Sequence, residues 1–279
     1  MSLETDKIQE FITTIKQHAG YDFNDYSERS FARRIDRILV DSKLSMDDLI
    51  IKVKKDADFL EQTVKNITVN TTELFRDPEV WQSIRYRILP RYESQNVINI
   101  WHVGSSTGQE VYSMLILLNE MNLLDKAKVF ATDLNTDVLE VAKKGEYKYR
   151  YNKEYLINFD KVIKENPYNY DEYNNVPYED YITIDKNRDL FAMKPLLTKK
   201  PIFRKHDIIT ETNIFNTKFD IIFCRNVLIY FNSNLQNRLF EYFHNQLFKN
   251  GCLILGAHES MLGPITAKYR KKGSAYIKK

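Results

Sequence analysis

Two acidic residues and a pair of glycines mark where this chain could do chemistry. Gly104 and Gly108 bracket the turn Gly104-Ser105-Ser106-Thr107-Gly108, Glu110 follows it, and Asp133 closes the next apolar run. Glycine lets the backbone turn sharply and come close to a ligand. A helix opening from such a turn offers unpaired N–H groups and the positive end of its dipole. A carboxylate at the end of the second strand of an open α/β sheet commonly holds ribose hydroxyls. Together these residues suit a nucleotide-like cofactor. The turn is not Gly-x-Gly-x-x-Gly, because Ser105 and Ser106 follow the first glycine, nor a P-loop, because no Gly-Lys-Ser/Thr follows. Tight strand–helix packing is the other use of such a turn, and Asp133 could instead start the next one.

The flanking segments are what must position these groups. Val97-Ile98-Asn99-Ile100 is β-branched and too short for a helix, Val111 to Leu118 is long enough for a buried helix, and Val129 to Asp133 is the next strand. With 279 residues, 43% of them hydrophobic, the chain can bury one large core or two modest ones. A net charge of +3 and a pI near 8.5 are too mild to argue for nucleic acid. No apolar run approaches the roughly 18 residues that span a bilayer, and Met1 to Glu10 lacks the apolar core of a secretory signal. Cys224 and Cys252 both lie in apolar strand-like runs and read as buried free thiols of a reducing cytoplasm. No Cys/His cluster has metal spacing, so no metal is expected.

Residues 1–69 have helical periodicity. Ile8, Phe11, Ile12 and Ile15 share one face of a first helix. A second covers Ser27 to Val40, with Phe31, Ile35, Ile38 and Leu39 on one face and Arg29, Arg33 and Arg37 four apart on the other, Arg34 beside them. Residues 1–70 hold 11 Lys and Arg against 13 Asp and Glu, so the region is acidic in bulk and the cationic stripe is local. The stripe is either a solvated face, with Glu28 and Asp36 as partial partners, or a docking face for an acidic partner. Ser45 reads as the N-cap of a third helix, and Phe59, Leu60, Val64 and Ile67 continue helical spacing. Asn70 to Pro78 is a polar hinge, with Asp77 an N-cap before Pro78 at the first helical position.

The hinge Asn70-Thr71-Thr72-Glu73-Leu74-Phe75-Arg76, followed by Gly104-Ser-Ser-Thr-Gly-Gln-Glu110-Val-Tyr-Ser113, resembles the CheR family of chemotaxis receptor methyltransferases. Ala131-Thr132-Asp133-Leu134 with Leu139, Ala142, Gly145 and Tyr147 is similar to the family's second-strand motif. Phe219-Asp-Ile-Ile-Phe-Cys-Arg-Asn-Val-Leu-Ile-Tyr-Phe231 matches its most specific signature. Leu253-Ile-Leu-Gly256 with Glu259, and Phe31-Ala-Arg-Arg-Ile35, agree as well. The likeness spans about residues 5–265 and is weakest between 150 and 200.

The resemblance implies an α/β fold: a Rossmann-like methyltransferase domain, residues 91–279, preceded by a small all-α domain, 1–69, for receptor docking. Residues 70–90 would be hinge and linker helix, and 148–203 a small β-subdomain insertion. It implies S-adenosyl-L-methionine (SAM) as methyl donor, S-adenosyl-L-homocysteine as product, and glutamyl methyl esters on cytoplasmic chemoreceptor helices. The enzyme would be a cytoplasmic monomer without membrane insertion. Arg76 and Tyr230 would position the acceptor carboxylate rather than act as acid or base, since that carboxylate is already ionised near neutral pH. A salt bridge from Arg76 to Asp77 or Glu79, and core packing of Tyr230 beside Phe231, are the structural alternatives. Asn70, Thr72 and Arg76 of the hinge, Gly104, Glu110 at the methionine end, Asp133 at the ribose, and Asn226 and Val227 near the sulfonium would hold the donor. Asp207 and Ile208 would lie near the adenine, where the family usually has Asn-Leu. Arg29, Arg33, Arg34 and Arg37 would dock the receptor.

Departures are few. Ser105 replaces a small residue or Cys, Gln109 stands where Glu is usual, and Gly256-Ala257-His258-Glu259 replaces Gly-His-Ser-Glu, so His258 is not read as catalytic. Residues 147–181 hold nine of the 18 tyrosines, with Pro167 and Pro177, and read as an irregular loop before short strands at 182–184 and 191–193. Residues 202–204 then rejoin the main sheet. In some relatives this region clamps a receptor's C-terminal peptide as an added strand; a plain surface insertion is the alternative. Two other functions fit the same motifs: a donor-binding regulatory module without transfer, and a methyltransferase of this fold acting on a small molecule.

Overall fold

The structure, a computed structural model, describes residues 5–279; residues 1–4, part of the helical region and of the Met1–Glu10 segment, lie outside it. Four helices come first: α1 Thr5–Ala19, α2 Glu28–Ser42, α3 Met46–Lys55 and α4 Ala57–Ile67. Their periodic apolar residues, among them Phe11, Ile15, Phe31, Ile35, Leu49, Val53, Leu60 and Val64, form one closed cluster. Ser45 caps α3 by accepting from the Asp48 N–H at 3.2 Å. Asp56 separates α3 from α4: it ends the first and caps the second by accepting from the Phe59 N–H at 2.9 Å.

The hinge leads into α5 Pro78–Ser83, which widens into a π-turn at Ile84–Ile88. Then come β1 Ile98–Val103, α6 Gln109–Glu120, β2 Ala127–Asp133, α7 Thr136–Lys144 and β3 Glu146–Lys148. The insertion continues with α8 Tyr149–Asn152, α9 Tyr155–Phe159, β4 Ile182–Asp185, β5 Leu190–Met193 and α10 Pro195–Thr198. Strands β6 Ile202–Lys205 and β7 Phe219–Cys224, α11 Ser233–Gln246, β8 Leu247–Leu255, β9 Tyr269–Lys272 and β10 Ala275–Lys278 complete the fold. The main sheet runs β6-β2-β1-β7-β8-β10-β9, and β3, β5 and β4 form a separate antiparallel sheet. Strands β6, β2, β1, β7 and β8 are parallel, while β10 pairs antiparallel with both neighbours. Helices cover both faces, so β7 is buried at every residue and is apolar except for Asp220, which accepts from the Asn99 N–H at 2.8 Å. Helix α6 is apolar nearly all round because it packs in one core with both the main sheet and the small one. Cys224 and Cys252 are buried free thiols.

The irregular loop expected over 147–181 is corrected in its first half. Residues 149–164 form α8, α9 and a π-turn, and Phe159, Val162 and Ile163 are fully buried in the main core. Their i, i+3, i+4 spacing puts three apolar side chains on one short face, which an average over tyrosines and asparagines hides. Phe159 meets Phe75 edge-on at 5.9 Å and Tyr178 at 5.1 Å. Phe159→Ala is therefore expected to cost about 3–5 kcal/mol in urea unfolding. A cost below about 1 kcal/mol would return the segment to a surface insertion.

Candidate functional site

The parallel strands β2, β1 and β7 end side by side, and the chain leaving each lines one cleft of about 1030 Å³, open mouth included. Gly104, at φ 68°, follows β1; a Cβ there would stand 2.6 Å from Val227 Cγ2, so only glycine lets these two loops meet. Gly108, at φ 89°, begins α6. The hinge closes one side with Asn70, Thr72 and Arg76, and the segment after β7 closes another with Asn226, Val227 and Tyr230. Glu110, Asp133, Asp207 and Ile208 complete the set, so the structure brings every expected donor and acceptor residue to one cavity.

Asp133 accepts from the N–H groups of Ser106 at 2.8 Å and Asn135 at 2.9 Å. Burial nevertheless raises its carboxyl above the usual range. Glu110 goes the other way. Burial pushes it up, but the hydrogen bond from His102 Nδ1 at 2.9 Å and the charge of Arg225, whose Nη1 is 3.3 Å away, more than offset this. It therefore lines the cleft as an anion at neutral pH. Tyr230 is held protonated: burial raises its hydroxyl, and the cations of Arg34, Arg76 and Arg33 offset only part of that.

Several placements differ from expectation. Asp77 does not cap α5; it sits at φ 57° with no capping bond, and its carboxylate pairs with Arg225 Nη2 at 2.8 Å. Among the described residues Arg76 makes no ion pair with Asp77 or Glu79, so its guanidinium is left to the cleft. Both Asp207 oxygens are engaged in its own turn, with the Ile209 N–H at 2.9 Å and the Thr210 hydroxyl at 2.8 Å. The arginine stripe lies outside the cleft. Arg29, Arg33 and Arg37 are exposed on α2, while Arg34 and Arg37 line a groove between α2 and α4 that reaches the cleft at residues 68–71.

Arg225, His206 and Glu259 were not among the expected site residues. Arg225 has only 1% of its side chain exposed, stacks over Trp81, and lines the cleft with an Nε that has no protein partner. His206, 3% exposed, also lines the cleft and leaves Nδ1 unpartnered. The signal for Arg225 was a charge directly after an apolar run of strand length. Glu259 accepts from the N–H groups of Asn226 at 2.7 Å, Gly256 at 2.8 Å and Ile229 at 3.2 Å, which pins the segment that carries Tyr230.

This cleft fits an adenosyl amino acid. It offers a carboxylate at the end of β2, an anion in Glu110 that suits an ammonium group, and buried polar atoms, including the Ser106 hydroxyl, that lack protein partners. With β10 antiparallel between β8 and β9, the fold and cleft define a Rossmann-like SAM-dependent methyltransferase. The chain matches the family described as CheR methyltransferase, SAM binding domain, over residues 70–277, and the CheR methyltransferase all-alpha domain over 6–68. A Pseudomonas putida relative is 34% identical over 256 residues, covering 91% of this chain and 89% of its own. The chemotaxis protein methyltransferases of Borreliella burgdorferi (31% over 258 residues; 84% and 83%) and Listeria monocytogenes (28% over 265; 94% and 92%) are also similar. The chain belongs to the CheR methyltransferase family, and with it is a protein-glutamate methyltransferase of chemotaxis that uses SAM.

The two cleft acids should separate on acidification. Asp133 takes up its proton at higher pH than an ordinary aspartate, whereas Glu110 stays ionised below the usual range. Affinity for S-adenosylhomocysteine should therefore fall as pH drops through the raised Asp133 pKa, in calorimetric titrations between about pH 7 and pH 4. Asp133→Asn should bind more weakly and show a flatter pH dependence.

Proposed function

We propose that Arg76 and Tyr230 orient a receptor glutamate for methylation at the mouth of the donor cleft. The observation that carries this is their convergence. One comes from the hinge and one from the segment after β7, yet both line the cavity that holds Glu110 and Asp133, and the Arg76 charge acts on the Tyr230 hydroxyl. SAM bound there supplies a methyl group on a cationic sulfur that departs as a neutral thioether. Asp133 would hold the ribose hydroxyls, Glu110 the amino group and Arg225 Nε the carboxylate. Asn70, Thr72, Gly104, Asn226 and Val227 would enclose the middle, with Ile208 and Asp207 beside the adenine.

The acceptor carboxylate is ionised near neutral pH, so the chain needs no general base. Its task is to bring that anion into line and strip water from it. Arg76 presents a planar fork that matches a carboxylate. Tyr230, kept protonated, donates a single hydrogen bond. A firmer grip would stabilise the bound acceptor as much as the transition state and slow transfer.

The exposed arginines of α2 give an acidic receptor helix a docking face, since Arg33 and Arg34 are close enough to act on Tyr230. Such a substrate lies on the cytoplasmic part of a chemoreceptor, and among the described residues no helix is long and apolar enough to cross a membrane. The enzyme works as a monomer in this scheme. Strand β4 pairs only with β5, leaving an edge to which a receptor's C-terminal peptide could add.

Labelled-methyl transfer to receptor-containing membranes tests the activity, and release of the label as methanol in base identifies an ester. Arg76→Ala should lower turnover by about 100-fold, while affinity for S-adenosylhomocysteine stays within about threefold. Collapse of that affinity with turnover preserved on bound donor would mean Arg76 serves the donor instead. Arg33→Glu with Arg37→Glu should weaken receptor binding by tenfold or more, on the order of 1.4 kcal/mol, and leave donor binding intact. Unchanged receptor affinity in that variant removes the docking role of α2.

A further inference from the structure

The structure assigns a positioning role to Asp77, which lies outside the cleft: it holds Arg225 against the carbonyl of Arg76 and so fixes how Arg76 is presented to the acceptor. This rests on the acceptor-orienting role of Arg76 proposed above. Arg76 stands between two residues in the left-handed region, Phe75 at φ 51° and Asp77 at φ 57°. Such a backbone persists only where its surroundings over-determine it. On the Phe75 side the ties are plain. Its N–H donates to Ser113 Oγ at 2.7 Å, and its ring packs edge-on against Trp81 at 5.6 Å and Phe159 at 5.9 Å.

On the other side the Val80 N–H donates to the Asp77 carbonyl at 2.9 Å, and the charged tie is one guanidinium. Arg225 Nη2 donates to Asp77 Oδ2 at 2.8 Å and to the Arg76 carbonyl at 2.9 Å, using both hydrogens of that nitrogen. Trp81 Nε1 donates to the same carbonyl at 3.0 Å, and Arg225 stacks over the Trp81 ring. Nη1 reaches Glu110 at a longer 3.3 Å, and Glu110 is shared with His102. Asp77 is thus the closer of the two anions that neutralise Arg225. Without it, the buried guanidinium keeps Glu110 as its remaining charged partner and loses its tie to the hinge. The Arg225 contact to the Arg76 carbonyl then loosens, leaving Trp81 Nε1 as its remaining side-chain donor, and the left-handed turn is held less firmly. A shift of about 1 Å at a positioning group is enough to cost about 100-fold in rate.

The test is turnover on receptor membranes beside calorimetric affinity for S-adenosylhomocysteine, with melting temperature as a folding check. Asp77→Ala should lower kcat by about 10- to 100-fold with the product affinity within about threefold of wild type. Asp77→Asn tolerates the left-handed backbone and keeps an acceptor, so its loss should be smaller but still measurable. Should Asp77→Ala not fold, Asp77→Asn carries the same comparison. The double variant Arg76→Ala with Asp77→Asn should be no slower than Arg76→Ala alone, because the second change acts only through the first residue. Full turnover in the Asp77 variants, a multiplicative loss in the double variant, or a product affinity that falls as far as kcat would each overturn the assignment. A slow Arg76→Ala enzyme beside full-speed Asp77 variants sinks this inference alone. A full-speed Arg76→Ala enzyme sinks the acceptor-orienting role, and the role of Asp77 with it.

Discussion

A guanidinium sealed from water has to be neutralised where it lies, and Arg225 sets that demand at the centre of this molecule. It comes directly after β7, stacks over Trp81 of α5, and takes Asp77 from the hinge and Glu110 from α6 as its counter-ions. Three segments far apart in sequence are therefore held to one point. Removing one partner of such a buried group strands the other charge, at about 3–5 kcal/mol. Replacing the whole set by apolar residues could be neutral for stability, so its use is geometric: it fixes the hinge to the sheet.

Carboxylates do the same work elsewhere in the cleft, and their environments sort by what they meet. Glu110 meets a histidine and an arginine and is held ionised below the usual range. Asp133 and Glu259 meet only backbone N–H groups, which do not offset burial, and both are raised. Each accepts from two or three N–H groups of a loop that would otherwise be free, near Ser106 at φ 49° and Asn226 at φ 58°. Ser106 and Asn226 are thus stapled by anions, so acids that shape the donor cleft also stiffen it.

Much of this was legible in the sequence because its determinants are local. The turn from β1 to α6, the acid at the end of β2, the amphipathic α2 and the cap Ser45 are each fixed by residues within a few positions. The unseen part depends on distance. Arg225 reaches its partners across separations of 148 and 115 residues, which no periodicity reports. Asp77 looked like an N-cap because it precedes Pro78, but a stronger charged partner from another strand claimed its carboxylate. Residues 149–164 looked irregular because their fully buried apolar side chains are only Phe159, Val162 and Ile163, with Tyr149, Tyr155 and Leu156 partly buried beside them. Asp207 sits in the cleft as its motif suggested, yet its own turn uses both oxygens.

The two domains meet where the acceptor would enter. Ser27, the residue before α2, donates its N–H to the Tyr230 carbonyl at 2.8 Å. Asn232 donates to the Asp25 carbonyl at 2.8 Å, and the Tyr26 and Phe231 rings pack edge-on at 5.0 Å. Asp25 also pairs with Arg238 of α11 at 3.2 Å. The segment bearing Tyr230 is thus clamped between Glu259 on the sheet side and the start of α2 on the other. A helix docked on the arginines of α2, as proposed, would be measured against a residue whose backbone is tied to the start of that same helix. Under that proposal, selection among the glutamates of a receptor would be a matter of register, set by the distance along α2 from its arginines to Tyr230.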